Sequence, residues 1–290
     1  MQSFDSESSD GAISRRSERP GCPDGGCRSV IRPDMTGCIV PDWPVPDGVR
    51  AVATTRRAPG ISMAPYDRSN LGMRAGDDVA TVTENRRLLT GALSLPSAPV
   101  WLHQVHGNEV WRVDMPNTLP RAVADEPAVD ATVTTRTNIV LAVLAADCLP
   151  VLFAAADGSV IGAAHAGWRG LLGGVLENTV AAMGIAAGLI TAWLGPAIGA
   201  ASYEVGDDVR DAFLAGDRAA AACFAGTRRG HWHCDLYGLA RQRLAHAGIA
   251  HVHGGGFDTF ADAVRFHSFR RDGARSGRQA SMIWIDPART

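Results

Sequence analysis

The sequence predicts an α+β fold, and three observations carry that prediction. Short apolar runs of strand length mix with amphipathic helical stretches, but not in the strict strand–helix–strand alternation of a doubly wound sheet. Two of these runs, Val151 to Ala156 and Ser159 to Ala164, flank Asp157-Gly158, a strong hairpin signal. After residue 39 there is neither an internal repeat nor a low-complexity linker, so one domain over 39–290 is expected.

Residues 1–38 are rich in Ser, Gly, Asp, Arg and Pro and poor in apolar side chains. They are expected to form a disordered extension, because too little apolar surface is present to offset the entropy of ordering. Cys22 and Cys27 are spaced too widely for a zinc knuckle, and no second pair follows them. Val49 to Thr55 reads as a strand. The stretch 56–76, RRAPGISMAPYDRSNLGMRAG, reads as a long loop whose Arg56, Arg57, Tyr66, Asp67 and Asn70 are able to hold a polar ligand. Thr81 and Glu84 have capping-box spacing and predict a helix to about Ala92. Strands are expected at Pro99 to Leu102, Glu109 to Val113, Asp130 to Thr134 and Ile139 to Leu144. Between the first two lie His103 and His106, of which one is expected to face a site. Beyond the hairpin, apolar residues from Leu171 to Met183 keep helical spacing. Ile190 to Leu194 reads as a strand, Asp207 to about Ala222 as a helix, and Leu236 to Ala247 as a helix capped by Asp235. Ala250 to Val252 and Ser281 to Ile285 are short strands.

The chemistry concentrates on 145–179. With a two-residue type I′ loop at Asp157-Gly158, position 150 faces 165. Cys148 and His165 then lie diagonally on one face, roughly 7–8 Å apart at the backbone. The helix expected after His165 would set free N–H groups and its positive end beside them, with Arg169 adding a fork of donors for phosphate or carboxylate. His106, Cys148 and His165 together supply two imidazoles and a thiolate. Such a set suits Zn²⁺ with one position open, as in catalytic zinc, and copper is also compatible.

Composition narrows the alternatives. A chain of 290 residues with net charge −2, 46% hydrophobic and 20% charged, is an ordinary globular protein with no basic excess for nucleic acid. No run is long and apolar enough to span a membrane, the first residues lack a secretory h-region, and six scattered Cys form no disulfide framework; a cytoplasmic location is expected. The H-x-H pairs at 231–233 and 251–253 read as incidental, because no H-C-H run exists and nine His are too few for a four-copper apparatus.

Four ordered motifs carry a resemblance: WLHQVHG (101–107), AADCLPVLF (145–153), AAHAGWRG (163–170) and WLGPAIG (193–199). Together with YDRSNLG (66–72), EVGDDV (204–209) and FRRD (269–272), they resemble the laccase-domain family over about residues 39–286. The family was first described as multicopper polyphenol oxidases and is now regarded as zinc-containing purine nucleoside phosphorylases with adenosine deaminase activity. The resemblance implies a mixed α/β sandwich similar to Cys–His toxin hydrolases. It also implies metal ligands at His106, Cys148 and His165, with Arg56 and Asn70 near substrate. The expected partners are a purine nucleoside (adenosine, inosine, guanosine or methylthioadenosine) and inorganic phosphate. Two other chemistries fit the same residues. One is a copper-dependent polyphenol oxidase; the other is a metal-free cysteine hydrolase with Cys148 as nucleophile and His165 as base.

Overall fold

The computed structural model describes residues 35–114 and 123–286. The expectations for residues 1–34, including Cys22 and Cys27, lie outside the described residues. In chain order the strands and helices begin with β1 (Cys38–Ile39), β2 (Val49–Thr54), α1 (Val79–Ala92), β3 (Val110–Arg112), β4 (Ala131–Thr134) and β5 (Val140–Ala145). The hairpin β6 (Leu149–Ala155) and β7 (Ile161–Ala166) is followed by α2 (Trp168–Leu172), α3 (Val175–Met183) and β8 (Ile190–Leu194). The chain continues through β9 (Glu204–Gly206), α4 (Asp207–Gly216), β10 (Phe224–Arg228), β11 (His231–Cys234) and α5 (Leu236–His246). It closes with β12 (His251–Gly254), α6 (Phe269–Asp272) and β13 (Gln279–Ile285).

The strands that read as continuous apolar runs are buried on both faces, which is why they lack polar alternation. In β6, Leu149, Val151, Phe153 and Ala155 face one way and Leu152 and Ala154 the other, and all are buried. Strand β6 sits inside a mixed six-stranded sheet of order β12-β8-β6-β7-β4-β3. The even face of β6 packs with Ile161, Ala163 and Trp193 against Val49, Ala53, Leu141, Val143 and Ile283 of a second, antiparallel sheet of order β1-β2-β13-β5. The odd face packs against helices, with Leu176, Val180, Leu239 and Leu244 among the contacts. On the far side of the four-stranded sheet, Val52, Val140 and Met282 are covered by Leu89 and Leu93 of α1 and its C-cap. The result is a mixed α/β sandwich.

Several expectations change. Cys38 already pairs with Thr54 and Met35 packs on the core, so the folded chain includes residues 35–38. Helix α1 starts at Val79, because Asp78 takes an extended conformation and its carboxylate accepts from Thr81 N; Glu84 instead pairs with Arg87. Pro99 to Leu102 makes only an isolated bridge, Val100 to Leu141. The single helix expected over 171–183 is two, α2 and α3, split at Gly173-Gly174, where Gly174 takes φ 90°. Helix α4 stops at Gly216, and a 3-10 stretch, Arg218–Cys223, follows an Asp217 cap. A small sheet, β10-β11-β9, was not anticipated.

The β6–β7 hairpin has the register expected of it, with Pro150 opposite His165. Its turn differs from type I′. Gly158 N donates to Ala155 O, so Ala156 and Asp157 are the central residues, neither with a left-handed φ, and Gly158 follows them at φ 74°.

Candidate metal centre and its cavity

Three chain segments meet where β5, β7 and the loop 103–107 converge. The first is the β5–β6 turn. Asp147 takes φ 89°, unusual for a residue with a side chain. Its buried carboxylate holds that conformation by accepting from Thr259 Oγ1, Ser268 Oγ and Arg270 N, and its own carbonyl accepts from Ile198 N. The turn fixed in this way presents Cys148. The second segment is the end of β7, which delivers His165. The third is the loop carrying His106, itself at φ 62°. Gln104 anchors this loop to β5, donating from Nε2 to Leu144 O and accepting from Leu144 N.

Asp130 ties the second segment to the third. It lies just before β4, level with His165 across the β4–β7 pairing, and is fully buried. Its Oδ1 accepts from His106 N at 3.0 Å and contacts His165 Nδ1 at 2.8 Å, while its Oδ2 accepts from Val105 N and Gly107 N. One carboxylate therefore shapes the His106 loop and orients the His165 ring. With Nδ1 engaged, His165 keeps Nε2 for the cavity, the arrangement in which a carboxylate orients a ligand histidine.

One ligand atom each from His106, Cys148 and His165 lies within 4.8 Å of the others. Cys148 Sγ and His106 Nε2 are 3.7 Å apart. Zinc bonds of about 2.3 Å to sulfur and 2.0–2.1 Å to nitrogen, at a tetrahedral angle, require a separation of about 3.6 Å. The donor set and spacing therefore fit such an ion. Among the described residues this is the one group of that kind, and the H-x-H pairs on β11 and β12 form none. Gly167, next along the chain from β7, keeps the approach open: a Cβ there would lie 2.9 Å from Cys148 Sγ and 3.0 Å from His106 Cδ2.

Burial opposes charge on the Cys148 thiol, but His165 first and His106 after it outweigh that, holding the thiol well below its ordinary value. Burial likewise opposes charge on His165, and the Cys148 thiolate and the Asp130 hydrogen bond reverse the effect, raising the imidazole. The two shifts are mutual: each group favours the charged form of the other.

The three residues line a cavity of about 460 Å³, within the range of small-molecule sites. Five arginines contribute to its wall: Arg74, Arg86, Arg169, Arg270 and Arg278. Arg74 and Arg86 both pair with buried Glu126, and Arg86 also stacks on Trp101. Arg169 is exposed at the wall and stacks on Trp168 at 4.3 Å. Helix α2, which starts beside His165, is only five residues long, so the long helix expected to seat an anion there is absent.

Of the other residues singled out from the sequence, Arg56 is not brought to the cavity. Its guanidinium is spent on Asp67 and Ala263 O, in a separate shallow depression lined also by Arg57, Arg68 and Val264. Asn70 is fully buried and also off the cavity lining; its Oδ1 accepts from Gly72 N and Arg278 N. His103 lines the cavity beside His106 but outside the three-residue group. Sequence reasoning missed Asp130, Glu126 and Arg278. The available signal for Asp130 was an acid directly preceding a short, uncharged strand, Ala131–Thr134.

A sandwich with convergent His, Cys and His donors in one polar cavity defines a candidate metalloenzyme, or a thiol enzyme of Cys–His–Asp type. The chain belongs to the multi-copper polyphenol oxidoreductase laccase family, whose model matches residues 50–286. It is 54% identical over 253 residues to a protein of Xylella fastidiosa named purine nucleoside phosphorylase, covering 85% of this chain and 96% of that one. It is 46% identical over 252 residues to purine nucleoside phosphorylase YfiH of Escherichia coli, covering 87% of this chain and 100% of that one. A crystal structure of a Neisseria meningitidis protein superposes with a TM-score of 0.79 at 42% identity, covering 86% of this chain and 99% of that one. Among the described residues no helix is long and apolar enough to cross a membrane.

Proposed function

We propose that the protein is a purine nucleoside phosphorylase, cleaving adenosine, inosine, guanosine or methylthioadenosine with inorganic phosphate. The observation that carries this reading is one cavity in which a His–Cys–His donor set faces arginines without carboxylate partners among the described residues, Arg169, Arg270 and Arg278. The names of the relatives support it. In the reaction a phosphate oxygen bonds to ribose C1′ as the bond from C1′ to the purine nitrogen breaks, and the base leaves with a proton. His106, Cys148 and His165 would hold Zn²⁺, which supplies Lewis-acid polarisation of an oxygen ligand. Asp130 keeps the His165 proton on Nδ1. The exposed guanidinium of Arg169 steadies phosphate at the wall, and Trp168 and Phe269 offer aromatic surface to the base. Asn70 acts through the backbone it fixes, and Arg56 through the loop it closes. Adenosine deamination in the same cavity, with water replacing phosphate, extends the proposal, as does a cytoplasmic setting that keeps Cys148 reduced. Copper is the other metal these donors accept, and analysis of the purified protein distinguishes the two.

The test is to incubate purified, zinc-loaded protein with each nucleoside, with and without phosphate, and to identify products. Phosphate-dependent release of free base with ribose 1-phosphate is expected, and inosine from adenosine would show deamination. Base release indifferent to phosphate, or no turnover of any nucleoside, would refute the proposal.

The alignment of Asp130, His165 and Cys148 favours a second reading, a metal-free cysteine hydrolase. On that reading, protein purified without added metal is active and metal-free, and iodoacetamide blocks turnover by alkylating Cys148. Stoichiometric metal that shields Cys148 from alkylation rejects it.

A further inference from the structure

We infer that Arg278 is the principal phosphate-binding residue of this cavity, ahead of Arg169 at its wall, with its Nε–Nη2 edge as the receiving fork; the inference rests on the phosphorolysis reading above. Nothing in the sequence marks Arg278, which stands at the entry to β13 after a run of Gly and Ser. The structure builds a holder around it. Its backbone N–H donates to Asn70 Oδ1 at 2.9 Å and its carbonyl accepts from Leu71 N at 3.0 Å. Asn70 is itself pinned, accepting from Gly72 N and donating to Asp77 Oδ2. Gly72 leaves room for the arginine stem, since a Cβ there would stand 2.6 Å from Arg278 Cγ. The loop that reads from sequence as ligand-binding therefore works one step removed, by fixing where this arginine starts and which way its stem runs.

The far end is fixed as well. Nη1 donates to Ser276 O and Gly277 O, and the guanidinium carbon lies 5.7 Å from the centre of the Phe269 ring. Nε and Nη2 have no protein partner among the described residues, and the residue lines the same cavity as Cys148. That leaves two parallel N–H donors on one edge, the geometry that matches two oxygens of a phosphate. Burial works against this cation, and the charges that favour it are those of Cys148 and Asp147 rather than a paired carboxylate. A desolvated guanidinium without a counter-ion is a strong attractor for an anion. The other arginines of the wall are less suited. Arg74 and Arg86 share the Glu126 carboxylate, Arg169 is exposed on Trp168, and Arg270 is exposed and donates from Nη1 to Glu204 O.

The test compares zinc-loaded wild type with Arg278→Met, Arg278→Lys, Gly72→Ala and Arg169→Met. Methionine keeps much of the stem packing, lysine keeps the charge without the fork, and Gly72→Ala displaces the stem while leaving the guanidinium intact. Inorganic phosphate binding is measured by equilibrium dialysis with radiolabelled phosphate, beside the KM for phosphate and for inosine, bound zinc and Tm. Loss of charged hydrogen bonds should weaken phosphate by about 10- to 100-fold in Arg278→Met, and less in Arg278→Lys, with the inosine KM within about threefold and zinc unchanged. Gly72→Ala should move in the same direction. A merely structural role would lower Tm and shift both KM values together. Phosphate affinity within about threefold of wild type in Arg278→Met, with the loss appearing in Arg169→Met instead, would overturn the inference and leave phosphorolysis standing. Wild type that binds no phosphate would overturn both.

Discussion

Asp130 offers the sharpest single perturbation of the centre, because asparagine is its isostere and the two orientations of the amide fail differently. The carboxylate takes four contacts, from His106 N, Val105 N, Gly107 N and His165 Nδ1. In Asp130→Asn, if the amide oxygen replaces Oδ1, the NH₂ faces the N–H groups of Val105 and Gly107. Two half-buried donors then lose their acceptor, at about 1–3 kcal/mol each at most. If the amide flips, its NH₂ faces His106 N and His165 Nδ1. His165 can accept only by moving its proton to Nε2, which removes the lone pair that a metal needs. Both outcomes also discard the negative charge that favours His165 as a donor. The expected result for Asp130→Asn is about 2–6 kcal/mol lost from stability, or zinc affinity weaker by about 10- to 100-fold, or a share of each. Urea midpoints report the first, and competition with a chromophoric chelator at about pH 7.5, above the ordinary histidine pKa, reports the second. Zinc affinity within about twofold of wild type, together with a stability change under about 1 kcal/mol, would refute this account of Asp130.

Three further outcomes follow from particular contacts. Gly167→Ala should fold but bind zinc more weakly by at least about tenfold, because the new Cβ occupies the 2.9 Å approach to Cys148 Sγ; chelator competition checks this. His267 is fully buried and held near a pKa of about 4, by burial first and then by Arg56. The unfolded chain, titrating near 6.5, binds the extra proton between those values, so stability falls as pH drops from about 6.5 to about 4, by about 3 kcal/mol in total. His267→Gln should flatten that part of the pH dependence of the urea midpoint, and an unchanged slope would contradict the reading. Glu126→Gln leaves the Arg74 and Arg86 guanidiniums facing each other without their carboxylate, and should cost about 3–5 kcal/mol and lower Tm, read by calorimetry.

The sequence carried the hairpin and the ligands because both are local. Asp157-Gly158 sets a register in which Pro150 meets His165, and that register brings the start of β6, next to Cys148, beside His165. Even with the turn type different, the register held, since apolar residues on both strands lock each face in place. Asp130 and Arg278 were not legible for the opposite reason. Asp130 acts on a residue 35 positions away, and only through the β4–β7 pairing. Arg278 is held by Asn70, 208 positions away. The break at Gly173-Gly174 was visible as two adjacent glycines, yet the apolar spacing on either side stays in helical phase and hid it. The β10-β11-β9 sheet escaped notice because its strands are short, largely exposed and without an apolar alternation.

The centre is assembled from conformations that local sequence disfavours. His106 and Asp147 both take left-handed φ values, and strain of this kind costs about 1–3 kcal/mol at each position. What holds them is long-range: Asp130 from the edge of β4 for the first, and Thr259, Ser268 and Arg270 for the second. These partners come into place only when the two sheets have packed, because β5 belongs to one sheet and β6 and β7 to the other. The ligand turn between β5 and β6 is therefore a crossing between sheets, and Cys148 can meet His165 only in the assembled sandwich. A metal that joins His106, Cys148 and His165 would bridge that crossing and stabilise the native state by mass action in proportion to its affinity. The same geometry, fixed by the carboxylates of Asp130 and Asp147 that take no part in the donor set, sets the pair in which Cys148 is held low and His165 high, because side chains in an unfolded chain do not meet in this way.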